Sequence, residues 1–149
     1  MTLDRIRVRV EAPDLQGSAR QNATPILHEV RHALERLLEG GAETVIDLRS
    51  LPLGEPGERY LLEALGQGEL ECRLDALGPS LIRESAYPGV WVVVHRNAAG
   101  AVIGTFIEVT FVPSILKSDP TDVRSALDRL TERLAVLPQD DDAGQTGGQ

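Results

Sequence analysis

Cysteine and tryptophan occur once each in the 149 residues, and tyrosine and phenylalanine twice each. A single thiol rules out an internal disulfide, so stability must come from a packed core. A chain of this length suffices for that: a compact domain of about 150 residues buries roughly 70% of the surface its unfolded form exposes. Cations are also in short supply, 15 Lys and Arg against 23 Asp and Glu, for a net charge of −8. Such an acidic excess, with its Lys and Arg scattered, repels phosphates and argues against nucleic-acid or anionic-membrane partners. No apolar run approaches the roughly 20 residues of a membrane span. Met1 to Val10 alternates arginine with apolar residues where a signal peptide would carry an apolar core, so the cytoplasm is the expected compartment. Neither GxSxG, nor a phosphate-binding P-loop, nor CxxC is present, which removes the main nucleophile, nucleotide and cluster-ligand signatures.

What is present is periodicity. Arg5-Ile6-Arg7-Val8-Arg9-Val10 alternates with period two and reads as an edge strand, its arginines in water. Thr24-Pro25 reads as an N-cap followed by proline at the first helical position. Ile26, Leu27, Val30, Ala33, Leu34, Leu37 and Leu38 then recur at helical spacing until Gly40-Gly41 stops the helix. Glu43 to Leu48, β-branched in its middle, reads as a buried and central strand. Glu55-Pro56-Gly57 opens a second helix carrying Leu61, Leu62 and Leu65, and Gly66 ends it.

From Gly68 the period becomes two, with Leu70, Cys72, Leu74 and Ala76 on a buried face and Glu69, Glu71, Arg73 and Asp75 on a wet one. Leu81 to Ala86 is the next strand. Tyr87-Pro88-Gly89-Val90 fits a type II turn, which needs positive φ at its third residue. Trp91 to Arg96 and Val102 to Val112 follow as strands, joined by the loop Asn97 to Gly100. Asp119-Pro120 caps a last helix carrying Val123, Ala126, Leu127, Leu130 and Leu134. The order β-α-β-α-β-β-β-β-α predicts a two-layer α+β domain over residues 1–137: a mostly antiparallel sheet with a four-strand meander, and about three helices. The acidic, glycine-rich residues 138–149 are expected to be a disordered tail.

One motif carries possible chemistry. His28-Glu29-Val30-Arg31-His32 is HExxH on a predicted helix, the spacing by which zinc peptidases set two imidazoles one turn apart with a glutamate acting on metal-bound water. The rival to every other reading is therefore a metal-dependent hydrolase using His28, Glu29 and His32. Three observations weigh against it. The two histidines fall about 150° around the helical wheel from the apolar stripe; Arg31 would repel a cation; and Leu38 stands where the extended motif needs a third histidine. A solvated or partner-facing helix surface is the preferred reading, with no metal or other cofactor expected. Cys72 reads as a small core residue. Glu69 and Glu71 read as a solvated charge pair, and Gly66-Gln67-Gly68 as a turn.

Four separated blocks carry a family resemblance: Asn22 to Leu34 (NATPILHEVRHAL), Thr44 to Leu53 (TVIDLRSLPL), Tyr87 to Trp91 (YPGVW) and Ile107 to Leu116 (IEVTFVPSIL). In this order they resemble the C-terminal domain of the HupH/HyaF hydrogenase-expression proteins, over about residues 21 to 131. The resemblance implies an accessory or chaperone protein in maturation of an uptake [NiFe]-hydrogenase. Its partner would be the precursor of the small, iron–sulfur subunit before export, or another maturation protein. It implies no enzyme reaction and brings no catalytic residue with it.

A protein of that kind must recognise its partner by surface. Trp91 begins a central strand, and its first reading is core. Yet Tyr87 and Trp91 flank one rigid Pro-Gly turn, the kind of preorganised anchor on which interface energy concentrates. They are the candidate contacts for a hydrogenase subunit, with the helix face of His28, Glu29 and His32 as the second candidate. The sequence does not set the oligomeric state.

Overall fold

The computed structural model describes residues 14–76 and 78–138. The arginine strand expected at Arg5 to Val10 and the tail 139–149 lie outside the described residues. The chain divides into two compact units, residues 1–113 and 114–149, where the sequence reading has one domain to residue 137.

In the first unit, α1 (Leu15–Gly40) precedes β1 (Thr44–Asp47), a 3₁₀ turn (Leu48–Ser50) and α2 (Gly54–Leu65). Then come β2 (Glu71–Asp75), β3 (Pro79–Glu84), β4 (Val90–Arg96) and β5 (Val102–Val109). The described strands form one antiparallel sheet in the order β1-β5-β4-β3-β2. The expected α+β class and its four-strand meander are therefore present, as β2 to β5.

Helix α1 starts ten residues before the expected Thr24-Pro25 cap, and Asp14 caps it by accepting from Gly17 N at 3.0 Å. Pro25 is interior and cannot donate the backbone hydrogen bond of its position. The Thr24 hydroxyl donates instead to the Arg20 carbonyl at 2.7 Å. Tertiary burial overrides the local start signal: Ala19, Ala23, Ile26, Val30, Ala33 and Leu37 make one continuous buried row. At Gly57 the missing Cβ leaves α2 close to α1, where an added carbon would stand 3.8 Å from Asn22 Cβ.

The core joins α1 and α2 to one face of the sheet through Ile46, Val90, Val92, Ile107 and Val109, and every residue of this cluster lies between 23 and 109. Among the described strands β1, expected to be central, stands at one end of the sheet order. It pairs with β5 alone among the described strands, and Val45 is 62% exposed. The opposite edge, β2, buries neither face, so Cys72 is half-buried rather than core. Between β3 and β4, Gly89 has φ of 88° and Val90 N donates to Tyr87 O at 3.0 Å, the tight turn expected from Pro88-Gly89.

The second unit holds a 3₁₀ turn (Ser114–Leu116) and α3 (Pro120–Ala135). Asp119 is its N-cap, accepting from Thr121 N at 2.7 Å, and that hydrogen bond holds the carboxyl below the usual carboxylate range. No described helix is long and apolar enough to cross a membrane.

Candidate partner-binding surface

The α1 stripe is wider than the core can cover. Ile26, Val30, Ala33 and Leu37 face inward, while Leu27 and Leu34 are half-buried and Leu38 is 79% exposed. Residues 27, 34 and 38 fall at i, i+7 and i+11 and make a row along one side of α1. Leu27, Val30, Leu34, Ala64, Leu65 and Tyr87, with Arg31, line an apolar groove of about 310 Å³. A second groove begins at the shared Leu34 and is lined by Leu37, Leu38, Pro88, Gly89, Phe111 and Glu84. The Tyr87-Pro88-Gly89 turn contributes to both, so the two form one trough beside α1. Tyr87 is 53% and Phe111 66% exposed.

The turn is held from below. Ser85 accepts from Tyr87 N and donates to Tyr87 O, both at 3.1 Å, and Ser85 N donates to Val90 O at 2.9 Å. Trp91, however, is 4% exposed, and its indole Nε1 donates to the Thr110 carbonyl at 3.1 Å. Of the pair flanking the turn, Tyr87 is exposed, whereas the Trp91 ring is buried.

Phe111 belongs to this surface although it reads as strand. Strand β5 ends at Val109, and the Thr110 hydroxyl donates to Glu43 Oε1 at 2.8 Å. The chain leaves the sheet there, and both following side chains stand exposed.

His28, Glu29 and His32 are exposed on α1. A guanidinium can only donate, so the 2.9 Å contact from Arg31 NH2 places the His32 Nε2 lone pair on Arg31. Arg31 NH1 is also 3.6 Å from Glu35 Oε1. That nitrogen is thus engaged by the cation inside the motif. Among the described residues no three His, Cys, Asp or Glu side chains group as metal ligands. The remaining imidazole, His95, shares a 2.7 Å hydrogen bond with Ser80 Oγ and meets the Phe106 ring edge-to-face with centroids 5.6 Å apart. It alternates with Val92 and Val94 along β4 and points to the sheet face opposite the helix-packed core. On that face burial pushes the Glu108 carboxyl up, partly offset by His95 and reinforced by Glu43.

The family model described as "HupH hydrogenase expression protein, C-terminal conserved region" matches residues 20–137. The hydrogenase expression/formation protein HoxQ of Azotobacter vinelandii is 31% identical over 113 residues, 74% of this chain and 40% of that protein. HupH of Rhodobacter capsulatus is 33% identical over 98 residues, 66% of this chain and 36% of that protein. The chain therefore spans about two fifths of the length of these curated relatives. The solved structure of the hydrogenase expression protein HupH from Thiobacillus denitrificans superposes with a TM-score of 0.75 at 46% identity. It covers 78% of this chain and 97% of its own. With a family match spanning both units and a solved relative of the same fold, the chain belongs to the HupH hydrogenase expression protein family, through its C-terminal conserved region.

Proposed function

We propose that the chain is an accessory protein of hydrogenase maturation that holds an unfinished hydrogenase component, the small iron–sulfur subunit, on the trough around Tyr87. Membership of the HupH family supports the pathway, and one observation carries the site: Tyr87, Leu38 and Phe111 stand exposed together around a braced turn. Apolar side chains gathered in this way mark an interaction surface, and rigid aromatic anchors concentrate binding energy because little entropy is lost on docking. The role needs no chemistry from His28, Glu29 or His32. Its setting is the cytoplasm, before the subunit is exported. The acidic surface favours a basic segment of the precursor at the encounter stage.

Capture of the small subunit by purified chain tests this reading. Tyr87→Ala and Phe111→Ala should each weaken capture about tenfold or more while circular dichroism and melting show an intact fold. His28→Ala/His32→Ala should capture as the parent does. Undiminished capture by folded Tyr87→Ala would remove the trough from the site. Loss with the histidine pair alone would move the site to that face of α1.

A further inference from the structure

The path of α1 across the sheet decides where the chain before it can go. A Cβ on Gly89, just ahead of β4, would stand 3.5 Å from Leu34 Cδ2 and 3.9 Å from Leu37 Cδ2. Nearer its start, α1 sets Asn22 beside Gly57 in the first turn of α2, the helix that follows β1. Strands β1 and β4 run the same way, since β5 lies antiparallel between them. Helix α1 therefore runs against β1, and its first turns lie at the end of the sheet where β1 finishes. Only Glu11 to Asp14, four residues, separate Val10 from Leu15, within the two to six usual between a strand and a helix. A strand made by the alternating residues 5–10 would thus finish where β1 finishes and run parallel to it, with α1 as the crossover.

Handedness then selects its place. Crossovers between parallel strands of one sheet are right-handed in about 98% of cases. With the helices toward the viewer and β1 pointing up, the crossover through α2 carries the chain to the right, from β1 to β2. Helix α1 packs on the same face as α2, so the strand that feeds it must lie to the left of β1. No described strand stands there.

The charges agree with this placement. Ile46 and its partner Ile107 face the helices, so Val45, Asp47 and Glu108 face the other way. Glu43, whose charge acts on Glu108, stands beside them. None of the described strands puts a Lys or Arg on this acidic face. Arg73 and Arg83 pair in register with Leu81 and Val92 on the helix side, and Arg96 lines a groove there with Leu62 and Val94.

We propose that residues 5–10 dock on the outer side of β1 as a sixth, parallel strand, with Ile6, Val8 and Val10 toward the helices and Arg5, Arg7 and Arg9 on the acidic face. With Arg7 opposite Val45, Arg5 falls beside Glu43, Arg9 beside Asp47 and Val8 beside Ile46. The arginine stems cover Val45, which is 62% exposed. The outer side of β2 offers the same alternation, with Glu71 and Asp75 to meet arginines, but reaching it would require a crossover of the opposite hand. Docked beside β1, the segment occupies an edge that could otherwise pair with a foreign strand, and leaves capture of a partner to side-chain surfaces. The inference does not rest on the hydrogenase reading.

The test uses the full chain. Hydrogen exchange should show the amides of residues 5–10 and 44–47 protected. Ile6→Asp/Val8→Asp places charge on the core side of the segment, so exchange at 44–47 should quicken about tenfold or more while 71–75 stay as in the parent. In a Cys72→Ser background, Arg7→Cys/Val45→Cys should close a disulfide within one molecule under mild oxidation, and Arg7→Cys/Arg73→Cys should not. The cysteine pairs decide the matter even if the aspartate variant fails to fold. Faster exchange at 71–75 in place of 44–47, or closure of the Arg73 pair, would put the segment on β2 and overturn the proposal. Unprotected amides at 5–10 would overturn it too, as would a Val45 pair that links only between molecules, which would make a second copy the donor of the strand.

Discussion

The indole Nε1 of Trp91 donates to the main-chain carbonyl of Thr110 across 3.1 Å, joining the first residues of β4 to the chain just past β5. Thr110 N in turn donates to Gly89 O at 2.9 Å, and its hydroxyl reaches Glu43. One residue thereby ties the Tyr87 turn, the start of β4 and the loop before β1. Trp91→Phe leaves the Thr110 carbonyl without its partner and opens space in a closed region, at a cost of about 1.5–3 kcal/mol. Urea unfolding should show this as a lower midpoint. Because the turn loses its brace, capture through Tyr87 should weaken in the folded variant too.

Pro25 offers the opposite sign. It sits inside α1 with no N–H to donate, and the Thr24 hydroxyl bonds the carbonyl four residues before itself. Pro25→Ala restores the backbone donor without altering the buried row of Ala23 and Ile26, and should stabilise the protein by about 1–3 kcal/mol. An unchanged or lower midpoint would show that the backbone geometry proline fixes at this position is needed for packing.

Local signals were the legible ones. Pro88-Gly89 makes its turn, Asp119-Pro120 opens α3, and Gly66 closes α2, because each depends on a few adjacent dihedrals. Thr24-Pro25 misled for the same reason: it is a fair local helix start, overruled by burial of Ala19 and Ala23 that adjacent residues do not reveal. The place of β1 at the end of the described strand order follows from its pairing with β5, Thr44 opposite Val109, a relation across the length of the unit. The trough was legible only in part. Tyr87 stood out beside its turn, but Leu27, Leu34 and Leu38 share the periodicity of the core positions and differ from them in burial, which the spacing does not reveal.

The HExxH histidines should prove dispensable for stability. Both are exposed, and His32 Nε2 already accepts from Arg31. His28→Ala/His32→Ala should shift stability by no more than about 0.5 kcal/mol, as exposed positions do. Protein purified without a histidine tag should carry no stoichiometric zinc by elemental analysis. A large destabilisation reversed by added zinc would make the motif a metal site after all.

Glu108 should leave a signature in the pH dependence of stability. Burial raises its carboxyl above the ordinary 4.5, so the folded state binds this proton more tightly than the unfolded chain does. In the window just above 4.5 the folded form therefore holds more proton than the unfolded form, and its stability falls as pH rises through that window. At neutral pH the whole penalty is present, whereas below the ordinary value it vanishes. Glu108→Gln keeps the shape and removes the charge, so it should melt higher than the parent at pH 7, with the gap closing as pH is lowered through the window. Differences between the two proteins at each pH cancel the other carboxylates. A gap that instead widens on acidification would mean that attraction between Glu108 and His95 outweighs the cost of burying the carboxylate.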